Sequence, residues 1–246
     1  MDPHADDAEP PDEGTAPPSR SSALVPGTVT QTVALAVVFA FLGAAVAFFV
    51  SERSDRAPSA DSVDVGFLQD MLHHHQQAVV LSQIQVDEGA KGGAGVFARE
   101  ILFFQSYEIG LMDRQLDAWG YAIDQRPSEA MGWMGMSVDP DAMPGMASLD
   151  ELDAMRDAGD PELVDALFFA LMRDHHLGGM AMASHAAEEA SDRWVRELAT
   201  RMARNQRAEV AEMDAARERA GLPADPPGYE PDPRVAEGGS HADHGG

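Results

Sequence analysis

Two pairs of adjacent histidines, His74-His75 and His175-His176, each follow a methionine by three and four residues, Met71 in the first case and Met172 in the second. On an α-helix that spacing sets the thioether and both imidazoles on one side, although the two rings of a pair point about 100° apart. The second copy continues along its helix through Met180, Met182 and His185. Imidazole with thioether is a soft to borderline donor set that suits copper, with methionine weighting it toward Cu(I) over Cu(II). Zinc would accept the histidines, but the chain has no cysteine to complete a structural zinc site.

Downstream of each pair the pattern recurs. Gln105, Glu108, Met112 and Asp113 return as Gln206, Glu209, Met213 and Asp214, at the same displacement of 101 positions that separates the histidine pairs. Residues 63–120 and 164–221 are therefore two copies of one unit, and the matched positions carry His, Met, Glu and Gln rather than abundant Ala or Leu. That bias points to a site built symmetrically from two copies. Glu108 and Glu209 share a helix face with Met112 and Met213, where a buried carboxylate needs a partner. A metal ion would serve, and so would a histidine held in the way that orients a ligating imidazole.

Each residue also has a plainer reading. A methionine at helical spacing is usually core filler, and a lone histidine is usually a satisfied polar contact. Two histidine pairs at the same place in a duplicated unit, each behind a methionine, are harder to explain that way. Between the copies, Met131, Met134, Met136, Met143 and Met146 stand in a Gly/Pro-rich stretch. They are expected either to capture Cu(I) as a flexible thioether cluster or to tuck into the bundle as gap filler. His241 and His244 near the C-terminus form a weaker pair.

The elements that must position these residues follow from periodicity. Val63, Phe67, Met71, His74/His75 and Ala78 repeat at the three-and-four spacing of one helix face, until Gly89, Gly92, Gly93 and Gly95 break it. A second helix runs through Ile101, Gln105, Glu108, Met112 and Leu116 and ends at Trp119-Gly120, with glycine where a C-cap is wanted. In the second copy Asp160-Pro161 starts a helix that runs to about Ala190, and its partner carries Leu198, Met202, Gln206, Glu209 and Met213 to Gly221. Ser148 with Glu151 announces a short helix from Leu149 to Ala158. No segment alternates with period two. Two hairpins that cannot bury their apolar faces alone predict an all-α, antiparallel four-helix bundle.

Around this bundle (61–221, with a connector at 121–159) the chain of 246 residues carries other segments. Residues 1–27 and 222–246 read as disordered tails, and 51–60 as a linker. Residues 32–50 hold no charge, and a helix of that length, about 28 Å, matches a bilayer core. One transmembrane helix is expected there, although Ala45-Val46-Ala47 has the form of a signal-peptide cleavage site. Arg20 before the stretch against Arg53 and Arg56 after it weakly places the bundle in the cytoplasm. A net charge of −25 argues against a nucleic-acid partner.

Phe67-x-x-x-Met71-x-x-His74-His75-Gln76-Gln77-Ala78, Gln105-x-x-Glu108-Ile109-x-x-Met112, Trp119-Gly120, Met143-Pro144-Gly145-Met146 and Phe169-x-x-Met172-x-x-His175-His176 resemble the bacterial domain of unknown function 305 family. The resemblance covers roughly 61–221. It implies a ferritin-like bundle that binds copper through His and Met and faces away from the cytoplasm, within reach of an envelope copper-handling partner. No enzymatic activity is established for most members, so none is expected here. His73 stands where the family usually has proline, and Asp174 and Leu177-Gly178-Gly179 are variants around the second pair. Two other functions compete. A ferritin-like dinuclear redox enzyme wants Glu-x-x-His on two helices, which this sequence lacks. A metal-free adaptor would use the histidines as buried polar contacts.

Overall fold

The computed structural model describes residues 57–90, 92–121 and 128–238, together with 39, 40, 42 and 43. Four long helices, α1 (Val63–Glu88), α2 (Gly93–Ala118), α4 (Pro161–Glu189) and α5 (Arg193–Ala220), are joined by a short α3 (Leu149–Arg156) and followed by α6 (Pro233–Gly238). The connector adds single 3-10 turns at Gly132–Met134 and Pro140–Ala142. Among the described residues the one extended pairing is an isolated bridge between Ala130 and Val138. The fold is all-α.

The helix ends follow the chain's polar punctuation. Ser62 accepts from the Val65 N–H, Asp160 from Glu162, and Asp192 from Trp194 and Val195, each satisfying a donor that the first helical turn leaves open. Gly221, at φ 70°, closes α5 in the left-handed conformation that favours glycine. Ser148 and Glu151 make the reciprocal capping box of α3, which ends at Arg156, two residues short of the expected Ala158.

α1 pairs with α2 and α4 with α5, and α1 and α4 pack directly on each other. Their relative direction is fixed by a reciprocal pair of aspartates. Asp64, at the start of α1, accepts from the Ser191 and Asp192 N–H groups beyond the end of α4. Asp165, at the start of α4, accepts from the Ala90 N–H beyond the end of α1 and from the Gln85 amide. The two aspartates are repeat equivalents, so each copy closes the interhelical turn of the other and α1 runs antiparallel to α4. Burial raises the Asp165 carboxyl above its ordinary value.

Two apolar cores fill the bundle. One gathers Phe67, Met71, Leu72, Met112, Met182 and Met202, and the other Ala78, Leu81, Ile101, Phe168, Met172 and Met213. Along α1 and α4 the histidine pairs lie between them.

One expectation is open between two readings, and one needs correction. The connector is ordered where described, with Met131 and Met143 in the first core. Residues 222–238, expected as a disordered tail, pack back on the bundle with Pro226 and Val235 buried. Their Pro/Gly content marks turns rather than disorder, because Tyr229, Asp232 and Arg234 find partners on the connector and on α4. The stretch 32–50 lies outside the described residues apart from 39, 40, 42 and 43, as do His241 and His244. No helix among the described residues is long and apolar enough to cross a membrane.

Candidate metal centre

Packing α1 against α4 sets four imidazoles in a row across the bundle. His74, His75, His175 and His176 are all buried. The His74 and His175 rings meet at the interface of the two copies, with centroids 3.7 Å apart and planes tilted by 38°, while His175 and His176 are 6.3 Å apart. Each outer histidine turns back into its own hairpin. His75 Nε2 lies 2.9 Å from Glu108 Oε2, and His176 Nε2 lies 2.6 Å from Glu209 Oε2.

Partner chemistry fixes the tautomers. A carboxylate only accepts, so Nε2–H of His75 and of His176 donates, and in the neutral ring the lone pair sits on Nδ1. Both of those Nδ1 atoms are buried without a partner. His175 Nε2 donates to the His74 carbonyl at 2.9 Å, which leaves its lone pair on Nδ1 as well. His74 has neither ring nitrogen partnered. Burial holds both His74 and His175 well below the ordinary imidazole value, and the neighbouring histidines push the same way. Both central rings are therefore neutral at neutral pH. Buried orphan nitrogens of this kind are uncommon.

The surroundings are soft. Met71 and Met172, one turn before the pairs, and Met112 and Met213, on the facing helices, are all fully buried. The Oε1 atoms of Gln105 and Gln206 are buried and unpartnered. A methyl group at Gly179 would collide with Gln206 Oε1 and crowd His74 Cε1, so this glycine lets the glutamine of one copy approach the histidine of the other. Among the described residues no three His, Asp or Glu side chains are gathered closely enough to hold an ion by themselves. An ion at this layer would need further donors in its shell, which the thioether sulfurs or the glutamine oxygens could supply.

The connector covers the central pair. Gly145, at φ 81°, lies against the Asp174 carbonyl and the His175 Cα, and Gly178 lies against the Pro144 carbonyl, so that a Cβ at either position would clash. The Pro144 carbonyl is close enough to His74 to favour its proton, but outside hydrogen-bond geometry. On the first copy Gln77 grips the same loop, donating to the Ala147 carbonyl and accepting from its N–H at 2.8 and 2.7 Å.

The remaining candidates lie apart from this layer. Met182 is buried in the first core, and Met180 and His185 are half-buried, the His185 ring 5.5 Å from Trp133. Met131, Met143 and Met146 are buried in that same core, with Met134 packed against it, while Met136 is 40 % exposed. Met131 stands at φ 67°, the one non-glycine residue in the left-handed region among those described. Asp70 holds it there, accepting from the Met131 N–H and from Trp133 Nε1. His73 points away to Asp141. Sequence reasoning missed Asp174, which is buried and accepts from Tyr229 and Asp232. Its position, equivalent to His73, was the available signal.

Residues 64–217 match the family model described as domain of unknown function (DUF305). A crystal structure of a DUF305 protein from Streptomyces coelicolor is similar at TM-score 0.61 and 32% identity, over 67% of this chain and 97% of that one. A DUF305 fragment from Deinococcus radiodurans follows at 0.54 and 27%, covering 64% and 96%. CopM in its Cu(II)-bound form gives 0.50 and 25%, covering 63% and 96%. No curated protein matches.

Proposed function

This chain belongs to the DUF305 family, which matches more than half its length, and from that premise we propose that it is a copper-binding protein of the cell envelope. The observation that carries the proposal is the row of four buried imidazoles with unpartnered nitrogens, both on His74 and Nδ1 on His75 and His176, on helices that bury Met71 and Met172 one turn away. The Cu(II)-bound CopM neighbour supports copper as the metal. His74 and His175 would hold the ion between the repeats, with His75 and His176 on either side. Met71, Met172, Met112 and Met213 would supply sulfur. The bound ion is the cargo, and the chain's own residues do the rest.

Neutral central rings accept a cation without first losing a proton. Glu108 and Glu209 place one negative charge behind each outer ring, which offsets the cost of a buried cation. They also hold Nδ1 rather than Nε2 toward it. Each carboxylate is committed to a histidine, so we assign the protein to sequestration or transfer of copper rather than to dinuclear redox catalysis. The uncharged stretch 32–50 supports a single membrane anchor with the bundle outside the cytoplasm. From there copper would pass to an envelope copper-handling partner. A C-terminal reporter active only in the cytoplasm would overturn that orientation.

The direct test is titration of Cu(I) and Cu(II) into the full-length protein and into a variant with His74, His75, His175 and His176 replaced by Ala. Copper affinity should fall by more than the roughly 10- to 100-fold that loss of a ligand's outer partner costs. Unchanged affinity would place the metal elsewhere.

A further inference from the structure

The family match ends at residue 217, yet residues 218–238 are ordered and run to the loop that covers the histidines. After α5 the chain turns at Gly228, φ 91°, and lays residues 226–235 along the connector. The polar contacts of this strap converge there. Tyr229 Oη donates to Asp174 at 2.8 Å and the Asp232 N–H donates to the same carboxylate at 3.0 Å. The Asp232 side chain in turn accepts from the Gly145 N–H at 2.8 Å. Arg234 donates to the Ala142 carbonyl at 2.6 Å and to Asp232. Asp174 directly precedes His175, and Gly145 directly follows the Pro144 that lies beside His74. The strap thus ties the covering loop to the helix that carries the site.

We propose that residues 226–235 are a latch that holds the Met143–Met146 loop shut over the His74–His175 pair and thereby sets the rate at which a metal ion reaches or leaves it. The inference rests on the metal-binding reading above and goes beyond it by assigning the route and its gate. Two features favour a latch over a permanent brace. The strap's apolar anchors are few, Pro226 and Val235 buried and the Tyr229 ring half-buried against the second core, so much of its hold is polar, and segments of that kind open at the low end of a protein's stability range. Between strap and loop lies a cavity of about 580 Å³ whose lining includes Asp150, Glu151, Asp174, Glu230 and the Met146 side of the connector. Acidic walls around a cleft concentrate cations. When the strap lifts, an ion gathered there meets the uncovered loop and then the central pair.

The test uses the full-length protein, Tyr229→Phe, Asp232→Asn and a chain ending at Leu222. Tyr229→Phe keeps the ring and deletes one hydrogen bond to a charged group, a loss that shifts an open–closed balance by about tenfold. In metal-free protein, amide exchange at Met143 to Ala147 should accelerate about tenfold in each point variant and more in the truncation. Copper association and dissociation should both accelerate by a similar factor, with the equilibrium affinity changed less than about twofold, because a gate acts on both directions equally. Unchanged loop exchange in the truncated chain would overturn the latch. Faster exchange with unchanged copper rates would overturn its role as the gate. Failure of the parent chain to take up copper would sink the metal-binding reading instead, and the exchange data would still decide whether the strap holds the loop.

Discussion

The two repeats bring the same ligand set to the centre of the bundle and close over it in different ways. Histidine, methionine, glutamate and glutamine coincide at 71/172, 74/175, 75/176, 105/206, 108/209 and 112/213. The copies diverge beside the pairs, at His73/Asp174, Gln77/Gly178 and Ala78/Gly179. The first two of these are positions the connector and the strap reach, and the third lets Gln206 approach His74. A single connector cannot obey a two-fold relation, so one copy grips it with the Gln77 amide and the other makes room for it with Gly178. The asymmetry extends into the site, where His175 donates to the His74 carbonyl but the His74 ring has no partner. Duplication supplied the ligands, and divergence supplied the cover.

The comparison breaks first if the central and outer histidines contribute alike. His74→Ala and His175→Ala should each weaken copper binding by about 100-fold or more. Glu108→Gln and Glu209→Gln act through a ligand and should cost about 10- to 100-fold, and equally in the two repeats. Competition titration with a chelator of known affinity reads both sets. A Glu209 effect without a Glu108 effect would mean that only one hairpin holds the ion.

The two grips on the connector come next. Gly178→Ala drives a methyl group into the Pro144 carbonyl, and overpacking of that kind costs about 1–3 kcal/mol. Gln77→Ala leaves the Ala147 N–H and carbonyl without their partner, a loss of about 1–3 kcal/mol by a different mechanism. Denaturant unfolding should show comparable losses for both. A neutral Gly178→Ala would mean that the loop stands further from α4 than described.

Much of this was legible in the chain because the signals were periodic and doubled. The 101-residue offset and the three-and-four spacing fix the helices, the face that carries the histidines and the partnership of Glu108 and Glu209 with that face. Singular features were harder to read. Tyr229, Asp232 and Arg234 stand in a Pro/Gly-rich segment with no periodicity and no second copy, so composition reads disorder where specific hydrogen bonds create order. The connector methionines had two possible readings, and only packing separates the buried Met131 and Met143 from the exposed Met136. Which nitrogen of each histidine is open depends on partners far apart in sequence.

Acid should distinguish the site from an ordinary helical core. Burial lowers the central imidazoles below the value near 6.5 at which the unfolded chain titrates. Between that value and their folded-state values the unfolded chain binds more protons. Stability of the metal-free protein is thus fully present above about pH 6.5 and falls as pH drops, by up to about 1.4 kcal/mol per pH unit for each histidine. Denaturant unfolding from pH 7.5 to 5.5 reads this slope. His175→Asn should halve the slope, and a flat profile in the parent chain would mean that the pair is hydrated in solution.

The smallest effect belongs to the outermost surface, where the copies differ most in character. On α2, Phe103, Phe104 and Tyr107 are 69, 55 and 62 % exposed, and their equivalents on α5 are Arg204, Asn205 and Ala208. The Phe103 and Phe104 rings touch edge to face, 5.4 Å apart, but bury little. Replacing the three with their α5 counterparts removes exposed apolar surface and places residues of equal or better helix propensity at two of the three positions. Thermal stability should change by no more than about 0.5 kcal/mol, copper affinity should not move, and solubility should rise as the apolar patch shrinks. A loss beyond about 1 kcal/mol would show that something covers the aromatic face in solution. The outer helices would then differ by what they bind, not merely by which side of the duplication drifted.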